Sequence, residues 1–135
     1  MSMDDNFTGI QHIGIPTNDI EATIAFYQKL GFIPVLRTVN EQANEKVAFL
    51  RLHNLNIETY ENKAAEMKTG AIDHIAINCV SIEDAFSYIN KEGLNNTSIR
   101  YISCRFGNMV YVFSQLKDLT ARRLNSVNSY KSEIT

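Results

Sequence analysis

The feature that most constrains the fold of this chain is an internal repeat. The stretch "QHIGI", which contains His12, nearly recurs as "DHIAI", which contains His74. Each stretch is typical of a short apolar strand, and each is followed by apolar side chains at helical spacing that stop at a glycine, Gly31 or Gly93. The offset between the copies is constant from the histidines to the glycines. We therefore predict two copies of one structural unit.

Each copy favours the element order β-α-β-β-β. In the first, "GIQHIGIP" predicts a strand, Asn18 or Asp19 can cap a helix, and "FIPVLRTV", "KVAFLRL" and "NIETYEN" predict three further strands. In the second, Ser81 and Asp84 form a capping-box start for the helix. We expect one α+β domain, in which two β-α-β-β-β modules form a curved mixed sheet around a cleft. Its parts are module one at about 8–62, module two at about 70–115, and an irregular tail at about 116–135.

Composition and charge exclude several classes of function. The chain has 135 residues, of which 44% are hydrophobic, and its formal net charge is −2. Charged residues of both signs are scattered along the sequence without a basic stripe, which argues against a nucleic-acid partner. No apolar run reaches the roughly 20 residues of a membrane span, and "MSMDDNFTG" lacks the regions of a signal peptide. Cys79 and Cys104 form neither a CxxC pair nor a disulfide framework. We expect a cytoplasmic protein with no membrane partner.

Two histidines and one carboxylate are the candidate site residues. Because side chains alternate along a strand, His12 and His74 should point away from the face of the sheet that packs under the helices. The same alternation on "NIETYEN" directs Ile57 to the helix and both Glu58 and Tyr60 to the other surface. Two imidazoles and a carboxylate suit a divalent transition metal with open positions for water or substrate. A single strand histidine is more typical of a structural role, and the repeat is what favours the metal.

Three phrases resemble the vicinal oxygen chelate superfamily over about residues 8–95: "IQHIGIPTNDIEATIAFYQKLGF", "VAFLRLHNLNIETYE" and "IDHIAINCVSIEDAF". The superfamily includes glyoxalase I, methylmalonyl-CoA epimerase, extradiol dioxygenases, and fosfomycin and bleomycin resistance proteins. The resemblance implies a homodimer that binds a divalent metal ion (Zn, Ni, Co or Mn) through His12, Glu58 and His74. It also implies a small-molecule substrate, for which Arg37 in "VLRT" and Tyr60 are the predicted binding residues. An exposed arginine at a sheet edge is the alternative for Arg37.

The implied reaction is that of a glyoxalase I-like lyase or isomerase of the lactoylglutathione lyase type. A metal ion stabilises an enediolate while a carboxylate, here Glu58 as the catalytic residue, moves a proton between neighbouring carbons. Two alternatives stay open. One is a methylmalonyl-CoA epimerase-like enzyme with the same enolate chemistry, and the other is a non-catalytic small-molecule binding protein of the same fold.

The second module lacks the carboxylate that the resemblance implies on its last strand. The repeat offset places it near residue 120, where the sequence is "LKDLTARRLN" and Asp118 is off register. Synonymous codons for "FGNMVYVFSQLKDLTARRLNSVNSY", taken from the third base of the Phe106 codon, can spell "WKYGVRFFTIEGPNREKIEFCQFL" and a stop. That string contains the family phrases "GPN" and "IEF". We therefore expect a frameshifted ending after about residue 95, with a weak or missing metal site.

Overall fold

The computed structural model describes residues 1–94 and the backbone of three later strands, 102–106, 109–117 and 123–131. The helices are α1 (Met3–Asn6), α2 (Ile20–Lys29) and α3 (Ile82–Lys91). The strands are β1 (Ile13–Thr17), β2 (Ile33–Asn40), β3 (Glu45–Leu52), β4 (Leu55–Glu61), β5 (His74–Asn78), β6 (Ile102–Phe106), β7 (Met109–Lys117) and β8 (Arg123–Lys131). In the described part of the chain, no helix has the length and apolar character needed to cross a membrane.

The chain folds as two compact units, Met1–Glu66 and Met67–Thr135. Each unit contains one four-stranded mixed sheet, with the strand order β1-β4-β3-β2 in the first and β5-β8-β7-β6 in the second. In both sheets the first strand pairs in parallel with the last, and the other neighbours are antiparallel. The β-α-β-β-β order and the α+β class predicted from the repeat are therefore confirmed.

The same local devices begin and end the helix of each unit. Asp19 caps α2 and Ser81 caps α3, because each side-chain oxygen accepts the backbone N–H three residues later, at 3.1 and 3.2 Å. Gly31 and Gly93 follow the helices with φ angles of +95° and +68°. A side chain is disfavoured in this left-handed region, so glycine is the residue that lets each helix stop there.

The core of the first unit lies between α2 and the sheet. Ile15, Leu50 and Ile57 come from the three neighbouring strands β1, β3 and β4 and are fully buried. Tyr27 of α2 is also fully buried and packs on this face. Because Ile57 points to the helix, its neighbour Glu58 must point to the opposite side of β4.

Part of the stretch that we expected to be irregular forms a strand. Arg123–Lys131 pairs with Met109–Lys117 in an antiparallel register without a shift, and it pairs in parallel with β5. Backbone pairing uses groups that every residue except proline carries, and "RLNSVNSYK" contains neither proline nor glycine. The stretch Arg123–Lys131 can thus form a strand although its sequence differs from the usual family ending. The remaining tail residues, 118–122 and 132–135, lie outside the described residues.

Candidate metal centre

One face of the first sheet carries the predicted site residues Glu58 and Tyr60 of module one. We call it the open face, and it is the side of the sheet opposite α2 that bears Phe49, Glu58 and Tyr60. The assignment follows from burial, because Ile57 and Thr59, which alternate with Glu58 and Tyr60 along β4, are fully buried toward the helix. Glu58 and Tyr60 therefore lie on the surface to which the sequence pattern assigned them.

His12 contacts Glu58 on the open face. Its Nε2 atom lies 2.9 Å from Oε2 of Glu58, and the two side chains are 36% and 25% exposed. The ring of Phe49 packs edge-on against the imidazole, with 5.5 Å between the centroids. Two ligand atoms that are each about 2.1 Å from one ion lie about 3.0 Å apart at right angles and about 3.4 Å apart at the tetrahedral angle. The donor types therefore suit a divalent ion, and their separation is close both to that of two ligands at right angles and to that of a hydrogen bond.

The other ring nitrogen of His12 faces the side chain before it. Nδ1 contacts Oε1 of Gln11, and the backbone carbonyl of Gln11 accepts a hydrogen bond from Nδ2 of Asn56 at 3.3 Å. A neutral imidazole has one N–H, so it cannot donate to both Gln11 and Glu58. Both contacts are satisfied by a cation shared between Nε2 and the carboxylate, or by a turned Gln11 amide that donates to Nδ1 while Nε2–H donates to Glu58.

His74 is the first residue of β5 in the second unit. Its Nδ1 atom lies 2.8 Å from Oδ2 of Asp73, and the two side chains are 47% and 55% exposed. An ionised carboxylate only accepts hydrogen bonds, so Nδ1 is the donor. The His12–Glu58 pair belongs to the other unit. Among the described residues, no group of three or more His, Cys, Asp or Glu side chains could hold an ion, and the joint site of His12, Glu58 and His74 stays a prediction.

Of the two predicted substrate-binding residues, only Tyr60 lies on the open face. Arg37 pairs across the sheet with the fully buried Ala48, which puts it on the helix side, and its guanidinium forms an exposed ion pair with Glu21 of α2. The structure therefore does not bring Arg37 to Glu58. A substrate-binding role for Arg37 stays a prediction.

Strand register locates the position of the missing carboxylate. Asn125 pairs with Ala76 in the second sheet as Glu58 pairs with Gly14 in the first, and the repeat matches Ala76 to Gly14. Asn125 is therefore the counterpart of Glu58, and the position near residue 120 predicted from the repeat offset was wrong. The offset lengthens after α3, because β2 begins soon after α2 whereas the corresponding strand β6 begins only at residue 102.

Sequence reasoning missed the two hydrogen-bond partners of the histidines. Gln11 and Asp73 occupy the same position of the repeat, directly before His12 and His74, and each side chain carries an oxygen that can accept from Nδ1. The available signal was an acceptor side chain before each histidine. The third histidine, His53, is preceded by Leu52, whose side chain has no hydrogen-bond acceptor. His53 itself lies exposed in the β3–β4 turn.

Comparison with known proteins agrees with the fold. A sequence model of the "Glyoxalase/Bleomycin resistance protein/Dioxygenase superfamily" matches residues 9–100. Among solved structures, a glyoxalase family protein from Enterococcus faecalis is 20% identical with a TM-score of 0.74, over 91% of this chain and 99% of that one. A glyoxylase/bleomycin resistance protein/dioxygenase domain from Frankia sp. EAN1pec is 13% identical with a TM-score of 0.68, over 92% and 99%. No curated protein matches this chain.

A third similar structure contains a metal. It is a mutant of the genomically encoded fosfomycin resistance protein FosX from Listeria monocytogenes, complexed with Mn(II) and 1S,2S-dihydroxypropylphosphonic acid. It is 17% identical with a TM-score of 0.64, over 89% of this chain and 91% of that one. At these identities the likeness shows the fold, whereas the sequence model covers well over half of the chain. The chain therefore belongs to the glyoxalase/bleomycin resistance protein/dioxygenase superfamily, also called the vicinal oxygen chelate superfamily.

Proposed function

We propose that this chain is a glyoxalase I-like lyase or isomerase that uses a divalent metal ion, Zn, Ni, Co or Mn, bound by His12, Glu58 and His74. The observation that carries the proposal is the contact of 2.9 Å between Nε2 of His12 and Oε2 of Glu58. That separation is close to the one expected for two ligands at right angles on one ion, and imidazole nitrogen with carboxylate oxygen is a donor pair that suits a divalent metal. Membership in a superfamily that includes FosX, which has been solved with Mn(II), supports a metal as the shared partner.

The residues of the open face have separate roles in the proposed reaction. A bound divalent ion would supply Lewis-acid stabilisation of negative charge on the oxygens of the substrate. Glu58 is the base that moves a proton between neighbouring carbons. Its contact with His12 uses Oε2, so we assign the proton transfer to Oε1. Tyr60 lies two residues later on the same face and orients the substrate, and the Phe49 ring packs against the His12 ring at nearly a right angle.

The second module limits this activity. The counterpart of Glu58 is Asn125, whose neutral amide is a weaker ligand for a divalent cation than a carboxylate. In the alternative reading frame, the glutamate codon of "IEF" consists of the third base of the Leu124 codon and the first two bases of the Asn125 codon. Strand register and the genetic code thus lead independently to one position. This agreement supports a frameshifted ending that impairs the metal site.

The same asparagine favours a second candidate function, a non-catalytic small-molecule binding protein of this fold. Without the fourth ligand, the pocket of such a protein can bind a ligand without turning it over. A methylmalonyl-CoA epimerase-like reaction uses the same groups as the lyase and differs from it only in substrate. Assays with both substrates therefore separate the three candidates.

We also propose that the protein is a cytoplasmic homodimer. Strand β2 lies at the end of the strand order in the first sheet, and its exposed apolar side chains can be covered by a second copy. These side chains are Ile33, Val35, Leu36 and Val39. The cysteines, which have no disulfide spacing, support a reducing compartment.

The proposal is tested by metal-dependent turnover. The full chain is loaded in turn with Zn²⁺, Ni²⁺, Co²⁺ and Mn²⁺ and assayed with a glutathione hemithioacetal and with methylmalonyl-CoA. We expect weak, metal-dependent conversion of the hemithioacetal that Glu58→Gln abolishes and Asn125→Glu increases. His53→Asn, a change at an exposed turn histidine, should leave it unaltered. If neither the chain nor its Asn125→Glu variant converts either compound with any metal, the binding-protein function replaces the enzyme.

A further inference from the structure

The two histidines of the repeat share a contact that lies outside the proposed ligand set. In each module the side chain directly before the histidine faces Nδ1: Oε1 of Gln11 in the first and Oδ2 of Asp73, at 2.8 Å, in the second. Neighbouring side chains within a strand point to opposite faces, which would prevent such contacts. Gln11 and Asp73 both precede their strands, which begin at residues 13 and 74, so the alternation does not separate them from the histidines.

We infer that Gln11 and Asp73 are positioning residues that hold His12 and His74 in the Nδ1–H tautomer, with the lone pair of Nε2 free for a metal ion. The inference rests on the proposed function. Which ring nitrogen of a histidine binds a metal is set by the hydrogen bond that the other nitrogen makes. The acceptor fixes both the tautomer and the orientation of the ring.

Asp73 is the stronger of the two acceptors. Its carboxylate cannot donate, so a neutral His74 ring that keeps this hydrogen bond carries its proton on Nδ1. The carboxylate also makes the ring a better electron donor at Nε2. The amide of Gln11 lacks the charge, so this effect is smaller at His12. We expect the contribution of Asp73 to metal affinity to exceed that of Gln11.

A second orientation of the Gln11 side-chain amide would favour the other tautomer of His12. If the amide of Gln11 is turned so that its NH₂ group donates to Nδ1, the ring carries its proton on Nε2 and donates it to Glu58, 2.9 Å away. That tautomer offers no lone pair at Nε2. The tautomer of His12 in the metal-free chain therefore distinguishes a ring prepared for a metal from one that is tied to a carboxylate.

The first readout is the tautomer itself, measured by two-bond ¹H–¹⁵N NMR correlations of the full metal-free chain at a pH at which the neutral rings are observed. We expect Nδ1–H at His12 and His74. Asp73→Asn, which keeps an acceptor oxygen, should retain this tautomer at His74, and Asp73→Ala should produce a mixture. Nε2–H as the main tautomer of either ring in the unaltered chain overturns the inference for that ring.

The second readout is the affinity for Zn²⁺, measured by calorimetry on the same variants. Asp73→Ala should weaken binding by about 10- to 100-fold, the usual loss for an outer partner of a metal-bound histidine. Asp73→Asn should lose less, and Gln11→Glu, which adds a charge to an acceptor, should bind more tightly. Glu92→Ala removes an exposed carboxylate of the same module and should leave the affinity unchanged.

The outcomes separate this inference from the function on which it rests. If His74→Ala abolishes Zn²⁺ binding while Asp73→Ala leaves it unchanged, the metal site stands and the positioning role of Asp73 is overturned. If Glu92→Ala weakens binding as much as Asp73→Ala, the effect is one of net charge and the inference fails. If the unaltered chain binds no Zn²⁺ although both rings show the Nδ1–H tautomer, the proposed function fails, and the positioning role fails with it.

Discussion

Replacing Thr59 by valine is expected to stabilise the first unit. The Thr59 hydroxyl is fully buried on the helix side of β4, and among the described residues it has no hydrogen-bond partner. A buried polar group without a partner costs about 1–3 kcal/mol. Valine has nearly the same shape, replaces the hydroxyl with a methyl group and is favoured in strands. We expect Thr59→Val to raise the free energy of unfolding by about 1 kcal/mol and Tm by about 3–5 °C.

Thr17→Val is the matched control, because the same chemical change is expected to have the opposite sign. Thr17 is also buried, but its Oγ1 atom lies 2.7 Å from Oγ1 of Thr23 and accepts the backbone N–H of Asp19 at 3.1 Å. Valine removes both hydrogen bonds and leaves buried groups without these partners. We expect a loss of about 1–3 kcal/mol.

Urea denaturation of both variants, with amide hydrogen exchange to follow β4, measures the two effects. Opposite shifts of the midpoint with equal m-values would support the burial of each hydroxyl. Destabilisation by Thr59→Val would show that the Thr59 hydroxyl has a partner.

Three further changes test separate parts of the structure. Asp19→Ala should cost about 1 kcal/mol of unfolding free energy by removing the cap of α2, Asp19→Asn should cost less, and equal losses in denaturation would contradict the cap. Burial, and secondarily the charge of Glu83, raise the pKa of the Cys79 thiol. In a Cys104→Ser background, iodoacetamide should therefore react more slowly with Cys79 than with free cysteine at pH 8, and Glu83→Gln should speed the reaction with Cys79. Unchanged rates would refute this. Asn125→Glu should tighten Zn²⁺ binding by at least about tenfold, because even a residue that only hydrogen-bonds to a metal ligand contributes that much and a direct ligand should contribute more. Asn125→Gln, which adds no charge, should not tighten binding.

Most of the fold could be predicted because its signals are local and occur twice. The caps at Asp19 and Ser81 and the stops at Gly31 and Gly93 each depend on a few neighbouring residues, and both sets follow one offset. The position of Asn125 could not be predicted in this way. A constant offset fails once two loops differ in length, and only the pairing of β8 with β5 reveals which residues correspond.

The residues of the candidate site were likewise predictable only where a regular strand gives a clear alternation. Alternation along the regular strand β4 was enough to place Glu58 and Tyr60 on one face. On β2 the register shifts between Pro34 and Leu36, so counting in twos from the start of the strand does not give the face of Arg37. The contacts of Gln11 and Asp73 lie before the strands, where no periodicity applies, and only the structure shows them.

We propose that one divalent ion is held by His12, Glu58 and His74. The most direct test of this shared site is a Zn²⁺ titration of the ¹⁵N-histidine-labelled chain, in which the Nε2 signals of all three histidines are followed. We expect the Nε2 signals of His12 and His74 to shift together, with one half-saturation concentration and one ion per chain. His53 should not respond, and Glu58→Gln should raise the concentration that is needed. A shift of only one of the two Nε2 signals, or of the two at different Zn²⁺ concentrations, would contradict the shared site.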